Sequence, residues 1–216
     1  MRLASKTTFA FAVFSTVGAI VHTECYNYFL EKDGCVWASA KDTERCDPTS
    51  GKSQLKLGGD EPEKQLMVQK RDKKFLKPRY TSENTDTSFA IHGGKGICGP
   101  YDPQEPGACL WLGSEQETGE DPSTAGWLNG ANKLNCGKQV YVQRKDKPEN
   151  PLFVPIVDGC VFYTASISVG CFQIALTNKT FYDLEPSPEE IDQGFVGDLV
   201  WDFDNEHGKK PQNGPN

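Results

Sequence analysis

The sequence predicts a mainly β fold, closed into a six-stranded barrel and preceded by a largely disordered N-terminal region. Three observations carry that prediction. From Thr87 onward six short β-like segments follow one another: Thr87–Gly93, Ala108–Gly113, Lys138–Arg144, Leu152–Gly159, Cys171–Thr177 and Gly197–Asp204. Apolar and polar residues alternate within Gln139-Val140-Tyr141-Val142-Gln143 and Leu199-Val200-Trp201-Asp202-Phe203, the period of a strand. Turn-rich stretches such as Gly99-Pro100-Tyr101-Asp102-Pro103 and Asp146-Lys147-Pro148-Glu149-Asn150-Pro151 separate the segments. Helical signals are few, with Asn178–Leu184 the best. A closed barrel removes the exposed edges that so many short strands would otherwise present.

Taken from the amino terminus, the chain starts with an export signal. Arg2 and Lys6 precede an uncharged apolar run from Phe9 to Val21, and Val17-Gly18-Ala19 supplies small residues for cleavage, so residues 1–19 read as a signal peptide. Eight cysteines in an exported chain read as disulfides rather than catalytic thiols: Cys25, Cys35, Cys46, Cys98, Cys109, Cys136, Cys160 and Cys171. Residues 20–46 form a short cysteine-bearing segment.

Residues 47–86 lose their periodicity and fill with charged and small polar residues, too few of them apolar to offset the cost of ordering the backbone. They read as a flexible charged linker. Seven basic residues lie between Lys64 and Arg79 against one acid, Asp72. Three readings compete there: a solvated linker, dibasic processing after Lys70-Arg71, and a nuclear-import patch in a protein delivered to another cell. Three cysteines precede the dibasic site and five follow it. If all are paired, at least one bridge crosses the linker and cleavage leaves the two parts tethered.

The barrel-like domain occupies residues 87–206, and 207–216 read as a disordered tail. Asn178-Lys179-Thr180 is the only Asn-x-Ser/Thr sequon and offers a glycosylation site. The formal charge of −7 argues against nucleic acid as a main partner. No apolar stretch is long enough for a mature transmembrane helix.

The order of landmarks resembles the double-psi β-barrel of the barwin, expansin and RlpA-like proteins. The carrying motifs are Gly107-Ala108-Cys109, Asn135-Cys136-Gly137-Lys138 followed by Val140 and Val142, Val154-Pro155-Ile156-Val157-Asp158-Gly159-Cys160, Gln173-Ile174-Ala175-Leu176-Thr177 with Phe181, and Gly197-Asp198-Leu199-Val200-Trp201-Asp202-Phe203. More narrowly, a signal peptide, a polar N-terminal half with basic clusters and a cysteine-bearing β-rich domain resemble the rust-transferred proteins of rust fungi. That resemblance implies a fungal effector delivered into a plant cell, reaching host cytoplasm and nucleus, inhibiting cysteine proteases and tending to form filaments.

The resemblance also bears on catalysis. Glycan-cleaving relatives protonate the glycosidic oxygen with the second Asp of an Asp-x-Asp-Leu-Ser motif. Here the two Asp positions hold Gln173 and Ala175, which have no such proton to give. Asp158 keeps its place without a partner carboxylate, and closing a turn by accepting backbone N–H groups is its favoured reading. The expectation is therefore a protein that is not an enzyme and needs no cofactor or metal.

Binding candidates are Trp127, Asp158 and Gln173. Trp127 sits in a loop and suits a groove, while Trp201, alternating with Leu199 and Phe203, suits the core. Nine acids and no bases between Asp183 and Glu206 form either a solubilising face or a partner site. An inhibitor typically presents a rigid, disulfide-pinned loop. The expected partner is a host protein such as a papain-like protease, with self-association through the uncharged run Gly159–Asn178. The competing expectation is an expansin-like protein that binds plant or fungal wall polysaccharide.

Overall fold

In the computed structural model, residues 21–47, 80–81, 90–91, 93–116 and 119–216 are described. The signal peptide, the Lys70-Arg71 site and the whole basic cluster from Lys64 to Arg79 lie outside them. Each of the six β-like segments contains a strand: β2 (Ala90–Ile91), β5 (Ala108–Trp111), β6 (Gln139–Arg144), β7 (Leu152–Cys160), β8 (Ile174–Thr177) and β9 (Leu199–Phe203). Three more strands, β1 (Tyr80–Thr81), β3 (Gly94–Gly96) and β4 (Gly99–Tyr101), were not legible in the pattern. β1 falls inside the stretch expected as linker and pairs antiparallel with β9.

Seven strands form one sheet in the order β1-β9-β6-β7-β5-β8-β2, with β3 and β4 a separate hairpin. The larger sheet curls into a half-barrel. Two of its pairings are parallel, β5 with β7 and β2 with β8, and the remainder are antiparallel. β5 and β7 change register between Ala108 and Cys109. The fold is thus mainly β with few helices, as the sequence predicts.

The alternation read in β6 and β9 does not mark a wet face and a dry one. All of β9 and the four central residues of β6 are buried. Strands covered on both faces lose the polar-out requirement. β7 keeps a partial alternation, with Phe153 and Pro155 exposed and Val154 and Ile156 buried.

The helices are short. α1 (Glu24–Asp33) opens on Thr23, whose side chain accepts from the Tyr26 N–H, and closes on Gly34 in the left-handed region at φ 73°. α2 (Ile167–Gly170) and α3 (Asn178–Asp183) flank β8, and α3 fits the helix expected at Asn178–Leu184. α4 (Pro188–Gln193) has a capping box between Ser187 and Glu190 and Pro188 at its start.

Two stretches expected to be appendages belong to the fold. α1 buries Cys25, Tyr26 and Phe29 in the same core as Trp127, Val140 and Trp201. The backbone N–H groups of Glu24 and Cys25 donate to the Ala125 and Gly126 carbonyls. The expectation of a largely disordered N-terminal region therefore fails for residues 21–47. Residues 207–216, expected as a disordered tail, are also tied down. Gly214 and Pro215 are buried, Ala40 N–H donates to the Pro215 carbonyl, and the Lys138 ammonium donates to the Gly214 carbonyl. The two misreadings have different causes: the apolar residues of 21–47 find their core partners far away in sequence, while the polar tail is ordered by hydrogen bonds to the rest of the chain.

All eight cysteines are paired: Cys25–Cys171, Cys35–Cys46, Cys98–Cys136 and Cys109–Cys160. The first spans 146 residues and joins the N-terminal segment to the sheet domain across the linker, as the odd cysteine counts required.

Candidate functional site

Between β7 and β8 the chain leaves the sheet at Cys160 and rejoins it at Ile174, and Cys160 and Cys171 are locked by different disulfides. Between them lie Val161-Phe162-Tyr163-Thr164-Ala165-Ser166-Ile167-Ser168-Val169-Gly170, without a charge. Phe162 is buried and anchors the loop, while the next residue, Tyr163, is 92% exposed. Tyr163 has φ 54°, a left-handed conformation that bulky residues adopt rarely and only when neighbours hold them. Val169 is exposed as well.

Three tryptophans do much of that holding. The indole N–H of Trp111 donates to the Thr164 carbonyl at 3.1 Å, that of Trp127 to the Cys171 carbonyl at 2.9 Å, and that of Trp201 to the Phe172 carbonyl at 2.8 Å. Each indole thereby finds a partner for its one donor while its ring fills the core. Gly170 lies against the Trp111 ring, and a Cβ there would meet ring atoms at 2.2 Å. The Ser166 carbonyl accepts from the Val169 and Gly170 N–H groups, and the Ser166 hydroxyl meets that of Ser168. The result is a stiff loop that presents an aromatic ring to solvent.

Trp127 is therefore not a groove residue. It is fully buried, with ring neighbours Phe29 at 5.9 Å, Trp201 at 6.1 Å and Phe203 at 5.0 Å. Its loop position suggested exposure, but the N-terminal segment supplies Phe29 to cover it. Trp201 is in the core as expected.

Asp158 closes a turn. Its Oδ1 accepts from Ile97 N–H at 2.7 Å and Gly159 N–H at 2.8 Å, tying the tip of the β3–β4 hairpin to β7. Burial, followed by the Asp158 charge and hydrogen bond, pushes the Tyr101 phenol up to about 12. Gln173 is buried, with its Nε2 3.5 Å from the Val169 carbonyl. Ala175 is buried opposite Cys109 of β5, which also faces Asp158 of β7. The three binding candidates thus do not converge on one surface. Asn178 begins α3 and is partly buried, while the Thr180 hydroxyl of its sequon bonds Gly107 at both N–H and carbonyl.

The acidic stretch is largely an internally paired face. Asp183 pairs with Lys179, Glu185 with Lys147, Glu190 with Arg144 and Glu206 with Lys210. Asp202 and Asp204 are buried, and each accepts a backbone N–H. Burial opposes ionisation of Glu190, but Arg144 and the N–H groups of Ser187 and Gly197 outweigh it and hold the carboxyl below the usual range. A small depression of about 150 Å³ lies there, lined by Arg144, Lys147, Asn150, Leu152 and the start of the acidic run.

Burial also shifts Lys138 and His22. Lys138 is buried, its ammonium donating to the Asn135 Oδ1 and the Gly214 carbonyl, and desolvation lowers it to about 8. His22 stacks on Tyr26 at 4.1 Å with its Nε2 3.6 Å from Glu44. Burial lowers its pKa, against the pull of Glu44 and with that of Lys41. Among the described residues no three His, Cys, Asp or Glu side chains are placed to hold a metal ion.

No protein-family model matches this chain, and no curated protein matches it. Among the described residues no helix is long and apolar enough to cross a membrane. The four disulfides are compatible with a secreted protein.

Sequence reasoning missed Tyr163. A signal existed in the ten uncharged residues between Cys160 and Cys171, but the stretch reads equally as an aggregation-prone strand. Only the pairing of the two cysteines with different partners turns it into a braced loop.

Proposed function

We propose that this chain is a secreted, non-enzymatic effector of a plant-pathogenic fungus, delivered to the host, which binds and inhibits a papain-like protease through the Cys160–Cys171 loop. The observation that carries the reading is the loop itself. A ring 92% exposed, on a segment held by two disulfides and two indole hydrogen bonds, pays little ordering entropy on docking. Aromatic anchors on stiff loops supply large contact area with few rotatable bonds. The double-psi barrel remains our reading of the topology, supported by the parallel β5–β7 and β2–β8 pairs within an otherwise antiparallel sheet. Lack of catalysis is supported by Asp158 serving the hairpin turn and by Gln173 and Ala175 standing where glycan-cleaving relatives have carboxylates.

The polysaccharide-binding alternative rested on Trp127 lining a groove, and that support is lost with its burial. Filament formation would need the run Gly159–Asn178 released from its places in β7, the braced loop and β8.

The test is inhibition of papain and related plant proteases by the full chain with its bridges intact. Burying the Tyr163 ring is worth about 1.5–3 kcal/mol, so Tyr163→Ala should weaken inhibition by roughly 10- to 100-fold. No change in protease rate at micromolar protein would overturn the reading.

A further inference from the structure

Beside the closing cysteine of the loop lies an aromatic platform contributed mostly by α1. Phe172 directly follows Cys171, and its ring lies 5.3 Å from Phe29 and 6.4 Å from Tyr28. Over these rings stands the Lys32 ammonium, 5.4 Å from the Phe172 centroid, 5.5 Å from Tyr28 and 5.7 Å from Phe29. The helix makes this arrangement natural, since Tyr28 and Phe29 are four and three residues before Lys32 and so share its face. Among the described residues no carboxylate pairs with Lys32. Glu31 and Asp33 are also exposed, but each lies about 100° around the helix from it. The Cys25–Cys171 bridge fixes α1 to the closing end of the loop, and α1 packs against α2 within it, so Lys32 stands on an element braced against the loop.

Resting on the loop reading above, we infer that Lys32 is a specificity-determining residue, and that the partner carries an acidic side chain at the rim of the apolar cleft that receives Tyr163. A cation held over π faces gives up little freedom when it meets an anion. On a chain of net charge −7, a cation that no carboxylate pairs with among the described residues, on the helix bridged to an uncharged loop, selects partners by charge at that point. The loop supplies contact area, and Lys32 supplies orientation and association rate.

The experiment measures inhibition of the protease most sensitive to the full chain, at ionic strengths from about 20 to 500 mM. Lys32→Glu should weaken inhibition about tenfold or more at low salt, mainly through slower association, with Lys32→Arg close to the unsubstituted chain. Inhibition by the unsubstituted chain should weaken as salt rises, whereas that by Lys32→Ala should depend little on salt. Tyr163→Ala should weaken inhibition at every salt concentration. Equal inhibition by Lys32→Glu and the unsubstituted chain at low salt, with Tyr163→Ala still impaired, overturns this inference alone. Failure of the unsubstituted chain to inhibit any protease overturns it together with the reading it rests on. Unfolding midpoints of the variants, expected within a degree or two of each other because Lys32 is exposed, separate lost contact from lost fold.

Discussion

Two regions of this molecule, residues 21–47 and the sheet domain from Gly93 to Glu206, are ordered by different means. The sheet domain is ordered by hydrogen-bond ladders and apolar side chains close together in sequence, and it announces itself by period and turn chemistry. The N-terminal segment has one ten-residue helix, and its order comes from partners far away: Cys171, the Ala125 and Gly126 carbonyls, the rings around Trp127, and the tail at Pro215. The difference teaches that a short polar stretch is classified by what meets it, not by its own composition.

The largest effect expected from breaking that contrast concerns the bridges. Replacing Cys25 and Cys171 together with alanine opens a loop of 146 residues, and chain entropy then predicts a stability loss of about 5 kcal/mol. The same change at Cys35 and Cys46, 11 residues apart, should cost about 3 kcal/mol. Urea unfolding of the two variants checks the order. Equal losses would mean that the segment is only loosely joined to the sheet.

Next comes the ring stack between the regions. Trp127→Ala removes the neighbour of Phe29, Trp201 and Phe203 and the donor to the Cys171 carbonyl, and should cost about 3–5 kcal/mol. A loss below about 1 kcal/mol in the same assay would return Trp127 to the surface.

The third effect is a pH dependence of the sheet domain where the tail covers it. Lys138 titrates near 8 when folded and near its ordinary value when unfolded, so between those values the unfolded chain binds more protons. Stability should therefore rise as pH rises from about 8 towards about 10.5, by roughly 2–3 kcal/mol, and be flat in this respect below 8. Lys138→Met should remove that slope, measured by denaturation at fixed temperature across the range.

The smallest effect belongs to the N-terminal segment. Burial makes His22 harder to protonate in the folded chain, so the fold should lose stability as pH falls below the ordinary histidine value of about 6.5. His22→Gln should flatten that part of the profile, and an unchanged profile would show that Glu44 compensates fully.

How far the fold could be read from sequence follows the same division. The segments containing β5 to β9 were visible because their apolar residues sit within a few positions of one another. β3 and β4 were not, because Gly94-Lys95-Gly96 and Gly99-Pro100-Tyr101 carry almost no apolar signal and are fixed by Cys98–Cys136 and Asp158. At the site, Asp158 was legible because an Asp before a cysteine at a strand end has a known turn chemistry. Trp127 was misread because nothing local says that Phe29, 98 positions earlier, will cover it. Lys32 was passed over because its aromatic neighbour Phe172 is remote in sequence.

The three indoles that grip the loop have a consequence for its motion. Because each donor is also a ring of the interior, movement of this stretch is felt at the centre of the protein: freeing Thr164 disturbs Trp111, and freeing the closing end at Cys171 and Phe172 disturbs Trp127 and Trp201. Exchange of the Trp111 indole hydrogen with solvent, resolved by NMR, should then report opening of the recognition tip, and exchange at Trp127 and Trp201 opening of its closing end, although none of the three rings touches water.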